Sequence, residues 1–217
     1  MIKAFIFDLD GTLIDSESLW CKAVQRVIES RGQPVTEAYA SELVFGRAWG
    51  DIQARLYEDY PVFREGPCNL ELESLAHYES LRGTADIRIP GSIALLERLS
   101  PRYPVAIVSG STRRQIGEAV AMMGIGNCLR FYLGSEDYPR GKPDPAGFLM
   151  AARRFGVKPG ECLVFEDSPA GVRAAQLAGM RCIALRRHGA GTPALEGAEE
   201  VLGDLADFRP ELYGIPC

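Results

Sequence analysis

Histidine is almost absent from this chain: 217 residues hold two, His77 and His188. Two imidazoles that far apart argue against a His/Cys zinc site, and both read as surface residues. The six cysteines (Cys21, Cys68, Cys128, Cys162, Cys182, Cys217) never form C-x-x-C. Cys162 and Cys182 lie inside apolar runs, where a thiol behaves as a small buried hydrophobe. This usage suits a reduced, cytoplasmic protein rather than a disulfide framework. No run of Lys or Arg occurs, and 24 bases face 29 acids for a net charge of -5. Nucleic acid is therefore not an expected partner. No basic segment followed by an apolar one suggests a secretory leader. No apolar stretch approaches the ~20 residues that span a bilayer, so no membrane association is expected. Internal repeats and low-complexity segments are also missing.

What is present divides into two rhythms. From Ser16 to Ala85 the apolar spacing is helical. Leu19, Trp20, Ala23, Val24, Val27 and Ile28 recur at three and four, Gly32 stands as a C-cap, and Thr36 can cap the next helix. Trp49, Ile52 and Leu56 mark a third helix, stopped near Tyr60-Pro61, and Leu72, Leu75 and Leu81 a fourth, ended by Gly83. Trp20 and Trp49 fall on core stripes. Outside this span, short apolar runs alternate with helical stretches. The runs are Ala4–Phe7, Val105–Val108, Phe131–Leu133, Cys162–Phe165, Cys182–Leu185 and a short one near Val201. The helical stretches follow Thr112, Pro145 and Pro169. Such alternation predicts right-handed βαβ units in a parallel sheet with helices on both faces. The first run must join that sheet to satisfy its backbone. The expected fold is thus α/β and Rossmann-like: a core of residues 1–15 and 86–217, with an all-helical domain, 16–85, inserted after the first strand.

Four strand ends or adjoining loops carry polar groups that a parallel sheet would bring to one edge. They are Asp8 and Asp10; Ser109-Gly110-Ser111-Thr112; Lys142 in Gly141-Lys142-Pro143-Asp144; and Glu166-Asp167-Ser168. Carboxylates that close repel by about 4 kcal/mol per pair at 4 Å and an effective dielectric near 20. Either some protonate or a cation neutralises them, and hard oxygen ligands select Mg²⁺, which also bridges to phosphate. Lys142 supplies a point charge for a phosphoryl oxygen, and Ser109 and Gly110 supply neutral donors. The helix starting at Thr112 presents a dipole that favours an anion. A carboxylate such as Asp8 can attack phosphorus. Asp10, if the chain turns at Gly11, can protonate a leaving alcohol and then deprotonate water. Ser168-Pro169 reads as an N-cap followed by Pro at N1. Arg47 in the insert and Arg113 after the serine loop are possible substrate contacts.

Asp8-Leu9-Asp10-Gly11-Thr12, Ser109, Lys142 and Glu166-Asp167-Ser168 resemble, in order and context, the four motifs of the haloacid-dehalogenase-like phosphatase superfamily. The helical insertion resembles its subclass I cap, as in β-phosphoglucomutase-like hydrolases. The resemblance implies Mg²⁺, Asp8 as nucleophile, and Asp10 as acid/base whose backbone carbonyl also meets the metal. It implies Asp167 as a direct ligand and Ser109 and Lys142 as phosphate holders. Glu166 is left as a ligand or a group behind the ligands.

The expected activity is hydrolysis of a small phosphorylated metabolite, a sugar or polyol phosphate, by a monomer or weak homodimer. The alternative is a hexose phosphomutase of the β-phosphoglucomutase kind. Mutases of that branch resemble one another in a first-cap-helix histidine, where this chain has Leu19-Trp20-Cys21, and in a basic cap loop, where it has Phe45-Gly46-Arg47-Ala48-Trp49. Gly-Ser-Thr-Arg after Ser109 also departs from the mutase lysine-asparagine. These departures favour hydrolysis. A dehalogenase would lack the second aspartate, and a non-enzymatic ligand binder has no need of both Asp8 and Asp10.

Overall fold

In a computed structural model, which describes all residues but 46, 48, 66–68, 84, 188–193 and 216–217, six strands form one sheet. They are β1 (Ala4–Phe7), β2 (Val105–Val108), β3 (Phe131–Leu133), β4 (Cys162–Glu166), β5 (Arg181–Leu185) and β6 (Glu200–Leu202). Their order is β3-β2-β1-β4-β5-β6, and every pairing is parallel. The expected apolar runs therefore become strands. β1 lies between β2 and β4 with all four residues buried, which is why it carries no polar alternation.

The chain divides into two compact units, residues 1–14 with 88–217 and residues 15–87. In the first, one sheet face (Ala4, Ile6, Val108, Val164, Ala184) packs on Phe148, Ala151, Val172 and Ala175. Phe148 and Ala151 belong to α7 (Ala146–Phe155), and Val172 and Ala175 to α8 (Pro169–Leu177). The opposite face carries a ladder of aromatics. Phe7 stacks on Phe165 at 4.5 Å between ring centres, Phe5 meets Tyr103 edge-on at 5.2 Å, and Phe165 meets Phe208 at 5.1 Å. Such pairs add about 0.5–1.5 kcal/mol each beyond their buried area.

The second unit is helical: α1 (Ser16–Ser30), α2 (Glu37–Val44), α3 (Trp49–Asp59) and α4 (Leu70–Arg82), with no strand among its described residues. Its core gathers Val24, Val27, Ile28, Leu43, Leu56, Phe63 and Leu70. Thr36 caps α2 by accepting the Tyr39 N–H, as its position suggested. Trp20 and Trp49 pack against this core, and Trp20 also stacks on Tyr78 at 4.4 Å. His77 is half-buried, while His188, Cys68 and Cys217 lie outside the described residues.

One helix has no counterpart in the sequence reading. α5 (Pro90–Leu99) follows Ile89, which provides no side-chain cap, and it begins Pro-Gly-Ser. Those residues read as a turn, yet Leu95, Leu96 and Leu99 are buried. Among the described residues Cys21, Cys162 and Cys182 are buried free thiols, and burial pushes Cys21 and Cys162 up to about 12. Among the described residues no helix is long and apolar enough to cross a membrane.

Candidate active site

The parallel pairing places the ends of β1, β2 and β4 side by side, with Phe7 in register with Ile107 and Phe165. The next residues along are Asp8, Val108 and Glu166. Lys142 is seated across all three ends. Its Nζ donates to Asp8 Oδ1, to Glu166 Oε1 and, at 3.2 Å, to the Val108 carbonyl. It also lies 5.1 Å from the centre of the Phe148 ring. Asp8 is 6% exposed and Glu166 fully buried. The Asp8 N–H donates to the Phe165 carbonyl at 2.9 Å, so its backbone continues the ladder while its side chain leaves the sheet edge.

Glu166 is held through both oxygens, Oε2 most heavily. Its Oε2 accepts the N–H groups of Asp167 and Ser168 and the Ser168 hydroxyl, each at 2.9 Å, while Oε1 holds Lys142. An oxygen with three donors has no lone pair left for a metal. Glu166 thus anchors Lys142 and the Asp167 backbone. Gly171 makes this possible, because a Cβ there would lie 1.7 Å from Glu166 Oε1. The Ser168 hydroxyl also accepts the Gly171 N–H at 3.0 Å, capping α8 with Pro169 at N1.

Asp8, Glu166 and Asp167 each present a carboxylate oxygen within 4.8 Å of the others. Thr12 donates to Asp167 Oδ1 at 3.4 Å. Gly11 adopts φ +77, and a Cβ there would stand 1.9 Å from Asp167 Oδ2. The turn after β1 and the loop after β4 can therefore approach only because residue 11 is glycine.

The electrostatics show an unbalanced cluster. Burial works against the charged Lys142 amine, but Asp8 and Glu166 outweigh it and hold the amine above its ordinary value, so it stays protonated. Burial likewise raises the Asp8 carboxyl well above the usual range. Lys142 opposes this, and Glu166 and Asp10 add to it. One ammonium cannot balance two buried carboxylates and a third beside them. The surplus negative charge and the all-oxygen donors of Asp8 and Asp167 fit a hard divalent cation.

Asp10 stands apart from that cluster. Its carboxylate accepts the Ser111 hydroxyl at 2.7 Å and the Ser109 hydroxyl at 3.3 Å. A metal role for Asp10 would fall to its backbone carbonyl, as the resemblance implies. Ser109 is buried, with its N–H on the Leu133 carbonyl at 3.1 Å and its own carbonyl accepting the Tyr138 hydroxyl at 2.6 Å. Gly110 is exposed beside it.

The helix after Thr112, α6 (Arg113–Met123), differs from expectation. Its first N–H groups are engaged within the protein: Thr112 donates to Gln115 Oε1 at 2.9 Å and Arg113 to Glu136 Oε2 at 3.1 Å. The Glu136 carboxylate is itself the anion at this helix start. The Arg113 side chain turns to Asp137 at 3.0 Å and lies over the Tyr132 ring at 5.2 Å. The structure thus gathers Asp8, Lys142, Glu166 and Asp167, sets Asp10 with Ser109, and ties Arg113 elsewhere. Arg47 is exposed on the loop between α2 and α3.

Thr12, Ser111, Tyr138 and Gly171 are site-building residues that the sequence reading did not assign. Thr12 and Ser111 had a sequence signal, in their places within Asp10-Gly11-Thr12 and Ser109-Gly110-Ser111.

The parallel α/β sheet with carboxylates and a lysine at one edge was compared with known proteins. The family model of haloacid dehalogenase-like hydrolases matches residues 2–179, so the chain belongs to that family. Validoxylamine A 7'-phosphate phosphatase of Streptomyces hygroscopicus subsp. limoneus is 33% identical over 213 residues, covering 96% of this chain and 97% of that protein. Hexitol phosphatase A of Escherichia coli is 31% identical over 209 residues, covering 94% and 91%. The crystal structure of a haloacid dehalogenase-like protein from Agrobacterium tumefaciens superposes with a TM-score of 0.80 at 27% identity, covering 99% of this chain and 98% of that one. The chain is a hydrolase of this family, and the Streptomyces and Escherichia coli relatives are named phosphatases.

Proposed function

We propose that this protein is a Mg²⁺-dependent phosphatase that hydrolyses a small sugar or polyol phosphate through a phosphorylated Asp8. The observation that carries the proposal is Lys142, seated across the ends of three strands between Asp8 and Glu166, whose carboxylates in turn lie close to that of Asp167. A cation fixed there serves a dianionic phosphoryl group, and a carboxylate held against it is placed to attack phosphorus. Relatives named as a hexitol phosphatase and a validoxylamine A 7'-phosphate phosphatase support a small phosphorylated substrate.

In this reading Asp8 attacks phosphorus and the bond to the substrate oxygen breaks. Asp10 gives that oxygen its proton, then takes one from the water that releases inorganic phosphate. Ser109 and Gly110 hold the phosphoryl group with Lys142. Asp8, Asp167 and the Asp10 carbonyl would hold Mg²⁺, which when bound neutralises the surplus carboxylate charge and the phosphoryl oxygens. The inserted helical domain, expected at 16–85, would act as the cap, with Arg47 as its candidate substrate contact. Arg113, already paired with Asp137, receives no such role.

The test is a panel of phosphorylated metabolites with Mg²⁺, scored by released phosphate. Release from sugar or polyol phosphates is expected. Efficient conversion of β-glucose 1-phosphate to glucose 6-phosphate with a bisphosphate activator would instead mark a mutase. Chelation with EDTA is expected to abolish activity, and Mg²⁺ to restore it. Mg²⁺ at a hundredfold excess over its Kd should also stabilise the protein by about 2.7 kcal/mol, read as a rise in Tm. Asp10→Asn is expected to lower kcat/KM for a sugar phosphate by about 10²–10⁴-fold. It should affect p-nitrophenyl phosphate far less, because p-nitrophenolate leaves without a proton.

A further inference from the structure

The serine loop after β2 contains a hydroxyl that the proposed chemistry has not used. Ser111 Oγ donates to Asp10 Oδ2 at 2.7 Å, closer than Ser109 at 3.3 Å. Ser111 is itself firmly mounted. Its N–H donates to Ser109 Oγ at 3.0 Å, and its carbonyl accepts the Ser135 N–H at 3.0 Å. Ser109 is fixed in turn by Leu133 and by the buried Tyr138 hydroxyl. Gly134 lets this layer close, because a Cβ there would lie 2.9 Å from the Ser111 carbonyl. Ser111 is thus held through both its N–H and its carbonyl, whereas Asp10 is half-exposed at the turn that leaves β1. A short carboxylate there has two side-chain torsions to restrain.

We infer that Ser111 is the positioning residue of Asp10, holding Oδ2 so that the carboxyl group keeps one orientation toward the leaving-group oxygen. The inference rests on the acid/base reading of Asp10 given above. A hydroxyl suits the task because it both donates and accepts, so the contact survives when Asp10 gives up or takes its proton. Positioning matters in proportion to the proton the leaving group needs. A misaimed acid costs little with p-nitrophenolate and much with an alkoxide.

The experiment measures kcat/KM, which covers steps only up to departure of the alcohol, for a sugar phosphate and for p-nitrophenyl phosphate. The enzymes are wild type, Ser111→Ala, Ser111→Thr and Asp10→Asn, all with Mg²⁺. Ser111→Ala is expected to lose about 10-fold or more with the sugar phosphate and less than about threefold with p-nitrophenyl phosphate, and Ser111→Thr to restore most of the loss. Equal losses on both substrates would mean that the loop is merely damaged, and no loss would mean that Asp10 needs no such hold; either result overturns the inference. Asp10→Asn separates the two levels. If it shows the leaving-group dependence and Ser111→Ala does not, the Ser111 inference alone fails. If Asp10→Asn shows none, the acid/base reading fails and takes the inference with it.

Discussion

Asp8→Asn is expected to lower turnover of every phosphomonoester by at least about 10⁴-fold, because an amide oxygen cannot displace an alkoxide from phosphorus. The size of the loss distinguishes a nucleophile from a helper: removing an acid/base group leaves a good leaving group reactive, whereas removing the attacking atom spares no substrate. The fold should survive. Asn matches Asp in shape, and the Asp8 backbone N–H still meets the Phe165 carbonyl. Burial already disfavours the charged form of Asp8, so removing that charge relieves part of a cost. Lys142 keeps Glu166 as its counter-charge. Near-wild-type Tm with no hydrolysis of either a sugar phosphate or p-nitrophenyl phosphate is the expected pair of results.

Lys142→Ala is expected to damage both stability and activity. The side chain is 14% exposed and stands between two buried carboxylates. Without it Asp8 and Glu166 face each other uncompensated, and breaking such a buried pair costs about 3–5 kcal/mol. Chemical denaturation would show this as a lower midpoint. The phosphoryl group also loses its fixed cation, worth about 10²–10³-fold in kcat by analogy with the loss of a single oxyanion donor. Lys142→Arg should rescue little. The ammonium donates to three acceptors set around it on three strand ends, and a planar guanidinium does not fit that arrangement. Full activity in Lys142→Ala would remove the residue from the site.

The strands were legible in the sequence because a buried parallel strand must be apolar throughout, as β1 and β2 are. The convergence of Asp8, Lys142, Glu166 and Asp167 followed from the same logic, since parallel strands end on one edge. α5 escaped because its start offers Pro-Gly-Ser in place of a capping side chain, and only tertiary burial of Leu95, Leu96 and Leu99 reveals it. Glu166 was ambiguous for a different reason. Adjacent acids look alike in sequence, and the three donors on Oε2 and the lysine on Oε1 meet Glu166 only in the folded chain. The α6 terminus read as an anion site because its dipole is local, while Glu136, which occupies it, arrives from a distant loop. Gly171 and Tyr138 belong to the same group: their contributions exist only once the chain has brought them to Glu166 and Ser109.

The central claim is that phosphorus is attacked first by Asp8 and then by water. The stereochemical course at an isotopically chiral phosphoryl group tests it in a single measurement on the Mg²⁺-loaded enzyme. Two in-line displacements return the original configuration, so this account predicts retention in the product. Inversion would mean that water attacks the substrate directly, and would contradict it.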